Sequence, residues 1–529
     1  MAGETTRYQF GPLESRGLIG GLRLGQVVLV GGALVAAVGL LYLLPTGGNA
    51  VAALGVVLAA AAIAFWPVHG RSLEEWLPVV LAWVGRRLRG AQRYRSSAPT
   101  QGARVDLSRN GESGNGVGGG ELIAPTPATD LPEAVGAVEI LSVPYRGAAI
   151  GVIKERTLFT VVLQCRVRSF GLLDSAEQEH RLANWGEVLS SYAGGRVPIR
   201  RIQWVERTVP SDGDQIARYF SENRDRAIAL SAPSVQSYIE LIDAAGAVTQ
   251  DHELFVALQL DARRAKGAIR KLVRADGGEE QPRKRAERER QVDRAACTLS
   301  LREAETLIHR LELADVRVDG ALPPPALNRC VRDAYDPYGR SNRTRVAALD
   351  TGPNGAGPDR AWPVGADEFW DRYQTDSALH VTYWIAQWPR VEVGASFLSP
   401  LLMQTPVLRS VAVTFEPISL TRSMRAAEQA MTSEMADEAV RERQGFISTA
   451  RKRLQQQATS RREEELASGH AEMRMAGFVT VSARDEEELD RACAEVEHAA
   501  QQAHIELARM YGQQATSFTF TLPLGRGLA

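Results

Sequence analysis

The residues best suited to phosphate, metal or nucleophilic chemistry are few in this chain and stand apart. A phosphate-binding P-loop needs glycine-rich backbone ending in Gly-Lys-Ser/Thr, so that amides cradle the phosphates while the lysine and hydroxyl meet charge and magnesium. The lysines are Lys154, Lys266, Lys271, Lys284 and Lys452; none follows a glycine and none precedes Ser or Thr. The glycine-rich run GPNGAGP at 352–358 has no lysine. The histidines form no HExxH, and His498 and His504 have no carboxylate at ligand spacing. Cys165, Cys297, Cys330 and Cys493 make no CxxC pair and read as small apolar residues of a reducing cytoplasm. No GxSxG nucleophile elbow occurs. The acidic run Asp485 to Glu488 matches the positive start of a helix, and the mixed run Arg283 to Arg294 reads as a solvated helical face. No catalytic residue, metal site or cofactor is therefore expected. The net charge of −1 gives no overall electrostatic case for nucleic acid.

The strongest pattern is apolar. Gly25 to Leu44 and Ala50 to Val68 carry no charge, and Pro45-Thr46-Gly47-Gly48-Asn49 between them reads as a tight turn. About 20 helical residues cross a hydrocarbon core about 30 Å thick, and backbone at that depth must be helical. Residues 25–68 are expected to form a transmembrane hairpin. Gly32, Ala36 and Gly39 on one helix, with Gly55 and Ala59 on the other, allow close approach. Arg7, Arg16 and Arg23 precede it in the N-terminal segment 1–24, arginines follow it, and the turn is uncharged. Both flanks should be cytoplasmic.

Residues 69–95 read as a basic amphipathic segment on the membrane surface. Ser72 and Glu75 have capping-box spacing, and Leu73, Leu77, Leu81, Val84 and Leu88 follow helical spacing. Trp76 and Trp83 suit the headgroup zone, and Arg86, Arg87, Arg89, Arg93 and Arg95 would meet anionic lipid.

Beyond a Gly/Ser/Pro linker at 96–135, a first α/β domain (136–335) is expected. Thr157–Arg168 alternates as a strand, Ser175–Tyr192 has helical spacing, and Val197–Val209 and Glu253–Leu260 are strands. A loop-rich connection covers 336–378. A second domain spans 379–529, with strands at Leu379–Trp388, Leu408–Glu416, Phe478–Ala483 and Ile505–Met510. It has helices at Phe397–Met403 and Asp485–Gln502 and a long helical insertion at 420–470. The fold class is α+β: a transmembrane hairpin followed by ferredoxin-like βαβ units with long helical insertions.

Three stretches carry a family resemblance. SFGLLDSAEQEHRLANWGEVLSSYA with VPIRRIQWVERTVP, WIAQWPR with FLSPLLMQTPVLRSVAVTFEPI, and the final ELASGHAEMRMAGFVTVSARDEEELDRACAEVEHAA ending in TFTLPLGRG are similar to the N-terminal region of the VirB-type conjugation ATPases of type IV secretion systems. The hairpin resembles the small two-helix inner-membrane subunit of those systems. Together they resemble an actinobacterial family of conjugation-like membrane proteins in which that subunit is fused to the motor-less half of the ATPase. The resemblance implies a non-catalytic, membrane-anchored scaffold. It would assemble with copies of itself and other membrane subunits and dock a separate P-loop ATPase near Leu522, Pro523, Leu524 and Gly525 and the 420–470 arm. The alternative is a membrane-anchored signalling enzyme such as a nucleotidyl cyclase, for which Asp174 and Asp376 are available acids.

Overall fold

The computed structural model describes residues 24–43, 47–65, 67–68, 71–96, 131–166, 173–193, 198–210, 231–248, 250–275, 285–339, 361–403, 406–419, 421–429 and 471–528, with isolated positions between. Two apolar helices come first, α1 (Leu24–Leu43) and α2 (Gly47–Phe65). Each holds an 18-residue window of mean hydropathy 2.0 or 2.1, and only 6% and 17% of those windows are buried. A core helix of a soluble protein would be mostly buried, so length, composition and exposure together mark a pair able to cross a membrane. Gln26 Nε2 donates to the Ala64 carbonyl at 2.9 Å, which joins the start of α1 to the end of α2 and makes the pair a hairpin. The buried small residues are Ala33, Ala37, Ala53, Ala60 and Ala64. Gly32, Ala36, Gly55 and Ala59, expected at the seam, are exposed. Small residues line more than one stripe of each helix, so spacing alone does not choose between stripes.

A two-residue hairpin, β1 (Pro67–Val68) and β2 (Arg71–Ser72), leads into α3 (Leu73–Leu88). The Glu75 carboxylate accepts the Ser72 backbone N–H at 3.1 Å, closing the expected cap. β3 (Arg93–Arg95) follows and belongs to the main sheet. Within the stretch read as linker, Leu131–Val135 is ordered and Val135 is buried; residues 97–130 lie outside the described residues.

The first α/β unit runs β4 (Val138–Tyr145), β5 (Ala148–Glu155), β6 (Leu158–Arg166), α4 (Ser175–Ser190), β7 (Ile199–Pro210), α5 (Pro233–Val248), β8 (Gln250–Asp261), α6 (Lys266–Ala275), α7 (Arg285–Leu313) and β9 (Arg317–Ala321). Helix α8 (Pro324–Tyr335) leads out of it. The second unit runs β10 (Gly365–Glu368), β11 (Tyr373–Gln374), β12 (Leu379–Gln387), α9 (Ser399–Met403), β13 (Leu408–Pro417), β14 (Met473–Ala483), α10 (Glu486–Gln502) and β15 (Glu506–Arg509), then α11 (Gln514–Phe518). The stretch read as a loop-rich connection thus contributes two strands. Residues 340–360, and most of the 420–470 insertion, lie outside the described residues; 421–429 are helical.

All described strand pairs are antiparallel, and one 13-stranded sheet has the order β3-β10-β11-β12-β14-β13-β7-β8-β6-β5-β4, with β15 also on β12 and β9 also on β6. The two units are topological copies. In the first, the neighbours run β9-β6-β8-β7; in the second, β15-β12-β14-β13. In each, a hairpin (β4–β5 or β10–β11) precedes the first strand and pairs with its N-terminal half. The units join edge to edge, β7 on β13, in register from Ser410↔Arg207 to Phe415↔Ile202.

Alternating side chains serve two faces. One packs under α4, α6 and α7 in the first unit, through Val161, Leu163, Leu258 and Leu307. In the second it packs under α9 and α10, through Val381, Val479, Leu489 and Val496. The other face carries α8, α11 and the C-terminal segment in one cluster that reaches from Ile140 of β4 to Ala366 and Tyr373 of β10 and β11. This second face is polar at its centre, with Thr160, Gln203, Gln259, Thr382, Thr414 and Thr480 all buried.

His380 is enclosed on that face, its ring nitrogens 2.8 Å from Thr375 Oγ1 and 2.8 Å from Ser482 Oγ. Burial pushes its pKa down to about 3. The folded pKa lies below the unfolded value of about 6.5, so the unfolded chain takes the proton first. Stability from this group is complete above pH about 6.5 and declines by about 1.4 kcal/mol per pH unit below it, until the folded pKa is reached. Denaturant midpoints at pH 7.5, 6 and 5 should therefore fall more steeply for the native protein than for His380→Gln. Parallel slopes would show that the imidazole is not the group responsible.

Candidate functional site

Two arrangements tie the ends of the chain to the sheet. The first is a collar around α3. Its inward face carries Trp76, Val79, Trp83 and Arg86, one or two turns apart. The Trp76 ring lies 5.9 Å from that of Trp370 and 6.1 Å from that of Tyr511, and Trp83 meets Trp370 edge-on at 5.3 Å. Arg86 Nε donates to Glu368 Oε2 at 3.0 Å, and Arg86 Nη2 donates to the Gly512 carbonyl at 2.5 Å. Glu368 also accepts the Ala515 backbone N–H at 3.1 Å. Burial holds the Glu368 carboxyl above the usual carboxylate range, against the opposing pull of Arg86. Gly512 has φ +66°, and a Cβ there would stand 2.6 Å from the Trp370 ring, so glycine lets the indole close on α3.

The arginines expected at lipid are partly occupied by acids of the sheet edge. Arg95 pairs with Asp367 at 2.7 Å, Arg93 with the same residue at 3.9 Å, and Arg89 with Glu133 at 3.4 Å. Arg87 stacks over Trp83 at 5.3 Å. Trp76 and Trp83, expected in the headgroup zone, face the globular part. The reason is the pairing of β3 with β10, which brings the Trp370 turn against α3, a contact between residues nearly 300 positions apart.

The second arrangement is the C-terminal segment. After α11 the chain crosses the polar face of the sheet over the seam between the units. Gln203 reads it twice, donating to the Phe520 carbonyl and accepting the Gly525 N–H, each at 2.8 Å. Gln259 donates to the Leu524 carbonyl at 3.0 Å, and Thr414 to the Arg526 carbonyl at 2.7 Å. Arg201 donates to the carbonyls of Gly525 and Leu528. Arg526 returns the grip, pairing with Glu155 at 2.9 Å and donating to the Ala134 and Val135 carbonyls. Thr521 closes a hydroxyl chain through Thr480 to Thr382, with steps of 2.8 and 2.9 Å. Leu522, Pro523, Leu524 and Gly525 are all buried. A partner docking at these residues, as expected, would reach them only after the tail had left the sheet.

Asp174 and Asp376, the acids available to a cyclase, hold backbone. Asp174 caps α4, accepting the Glu177 N–H at 2.8 Å. Asp376 accepts the N–H groups of Val364 and Gly365 and pairs with Arg332 at 2.5 Å. Sequence reasoning missed Trp370, Glu368, Gln203, Gln259 and Arg201. A signal existed for Gln259, the one polar residue within the apolar run Leu254–Leu260, but not for Gln203, whose strand also carries Arg200, Arg201, Glu206 and Arg207.

Fold and site together define an α+β protein with a large antiparallel sheet, joined by an aromatic and ionic collar to α3, which packs against the second of two N-terminal helices long and apolar enough to cross a membrane. No family model matches the chain, and no curated protein matches it.

Proposed function

We propose that this chain is a non-catalytic, membrane-anchored platform of a type IV secretion or conjugation-like translocation machine, onto which a separate P-loop ATPase docks. It sits at the bacterial plasma membrane with both termini cytoplasmic, beside anionic lipid, other membrane subunits and copies of itself. Its two α/β units are ferredoxin-like. The repeated neighbour order supports that reading, since numbering the four strands of each unit in chain order gives 4-1-3-2.

The observation that carries the proposal is the collar. Three indole rings and a largely buried ion pair join α3, which packs against the second helix of the apolar hairpin, to one continuous sheet, so a force applied to the sheet is passed to α3. With residues 522–525 buried, the dock falls to the helical excursions between β7 and β8 and between β13 and β14. Thr421–Gln429 is the described start of the second, where Arg422, Arg425 and Glu428 are exposed.

The test is a mild-detergent pull-down of the full-length tagged protein with mass spectrometry. The control is Arg422→Glu with Arg425→Glu, which leaves the buried Ser423 and Ala427 in place. Recovery of a P-loop ATPase supports the platform, and its loss in the variant locates the dock. Recovery of the protein alone, under conditions that preserve other membrane complexes, would overturn the proposal.

A further inference from the structure

Helix α3 has a second face. Leu77, Val80, Leu81, Val84 and Leu88 recur at spacings of three, one, three and four residues, on the side opposite Trp76, Val79, Trp83 and Arg86. All five are exposed, Leu81 at 62% and Leu88 at 82%. A water-facing surface rarely gathers so many large apolar side chains on four turns of helix.

We propose that this face is immersed in the interfacial layer of the bilayer, so that α3 lies in the membrane plane with lipid on one side and the globular part on the other. The proposal rests on reading α1 and α2 as membrane-spanning, and it reassigns which residues meet lipid. The leucines and valines enter the acyl boundary, while the tryptophans form the joint to the sheet.

Three observations favour lipid as the occupant. The face continues the apolar surface of the hairpin, because α3 begins eight positions after Phe65 and packs against α2. At 16 residues, about 24 Å of helix, with Glu74 and Glu75 in its first turn, α3 is too short and too charged to cross a bilayer. Finally, Arg87 and Arg89 are exposed at the end of the helix even with Arg87 over Trp83 and Arg89 beside Glu133, and cations at that place suit the phosphates that border an acyl surface. The consequence is mechanical. A helix held by lipid on one face and by packed indoles on the other fixes the tilt of the sheet against the membrane.

The experiment uses the full-length protein in phosphatidylcholine–phosphatidylglycerol vesicles, with an environment-sensitive thiol probe on Leu81→Cys or Leu77→Cys. The four native cysteines are buried, and burial pushes the Cys165 and Cys297 thiols up to about 12, so the probe selects the introduced residue. Val35→Cys on α1 is the reference for depth and Arg288→Cys on α7 the reference for water. Probes at 77 and 81 should emit to the blue of position 288, lose intensity to lipids with a shallow nitroxide, and resist iodide. Iodide quenching at 77 and 81, with position 35 quenched by a mid-chain nitroxide, overturns the proposal while leaving the membrane-spanning reading intact. If position 35 also reports water, that reading has itself failed. Shielding of position 81 from both quenchers, with the unlabelled Leu81→Cys chain forming a disulfide-linked dimer when oxidised by copper phenanthroline, would assign the face to a second copy of the chain and overturn the proposal.

Discussion

A chain ending at Thr521 should lose the cooperative unfolding transition of its globular part. Leu522 and Leu524 are almost fully buried in the cluster that holds α8, α11 and both outer hairpins together. Removing a buried leucine side chain costs about 2–5 kcal/mol. The same deletion takes the Gly525 N–H from Gln203 Oε1, the Leu524 carbonyl from Gln259 Nε2, and the Gly525 and Leu528 carbonyls from Arg201, and each buried polar atom left unpaired costs about 1–3 kcal/mol. Those losses together match or exceed the net stability of a typical domain, about 5–15 kcal/mol. Gly525→Ala should act in the same direction with a smaller effect. Its φ is +69°, and the new Cβ would stand 2.7 Å from Gln259 Nε2, so about 1–2 kcal/mol of backbone strain adds to the clash. Melting in mild detergent, followed by circular dichroism, reads both variants. A synthetic peptide of residues 522–529 added to the truncated chain should restore the transition in a concentration-dependent way, because a ligand that binds only the folded state stabilises it by mass action. A truncated chain that melts with the full-length protein would show that the tail is peripheral to the fold. For the same reason, deletion of the tail is a poor probe of ATPase docking, since loss of the partner would follow from loss of the fold.

The second large effect is expected at Arg86. Arg86→Ala leaves the Glu368 carboxylate buried beside Trp370 with only the Ala515 N–H to hold it. Breaking a buried ion pair from one side costs about 3–5 kcal/mol, because the remaining charge has no partner. Glu368→Gln in the same chain should recover most of that loss, since the amide carries no charge. The pH dependence has a definite sign. The Glu368 carboxyl already titrates above its usual range, and loss of Arg86 raises it further, so the folded variant takes up a proton more readily than the unfolded chain. The deficit of Arg86→Ala should therefore be largest at neutral pH and shrink toward pH 5. A deficit that is constant with pH, or a double variant no better than the single, would mean that the ion pair contributes little to the collar.

Much of the local structure was legible. Charge-free runs of helical length marked α1 and α2. Alternation marked β6, apolar strand-like runs marked β7, β8 and β12 to within a few residues, and Asp485 before an acidic first turn marked α10, where it accepts the Glu488 N–H at 2.8 Å. The strands that were missed have composition to blame. β5 opens with Ala148, Ala149 and, three positions on, Gly151, and β4 contains Pro144, residues that local preference does not assign to strands. β10 and β11 are four and two residues long, too short to show a period. The candidate site was less legible. Spacing and residue type single out Trp76 and Trp83 and the LPLG segment at 522–525, but say nothing of Trp370 or of the sheet face that receives the tail.

By itself, then, the sequence determined whatever depends on neighbours within a few residues: the apolar helices, the alternation of strands and helices, the caps, and the absence of a Gly-Lys-Ser/Thr phosphate loop. Tertiary structure alone decided that both units share one sheet, that the tail crosses their seam, and that the inner face of α3 belongs to the protein while its outer face stays bare. The physical reason is that periodicity reports which side chains leave water but not what receives them. An indole buried by another indole and one buried by lipid have the same spacing in sequence. Only the pairing of β3 with β10, and of β7 with β13, brings the receiving groups into place.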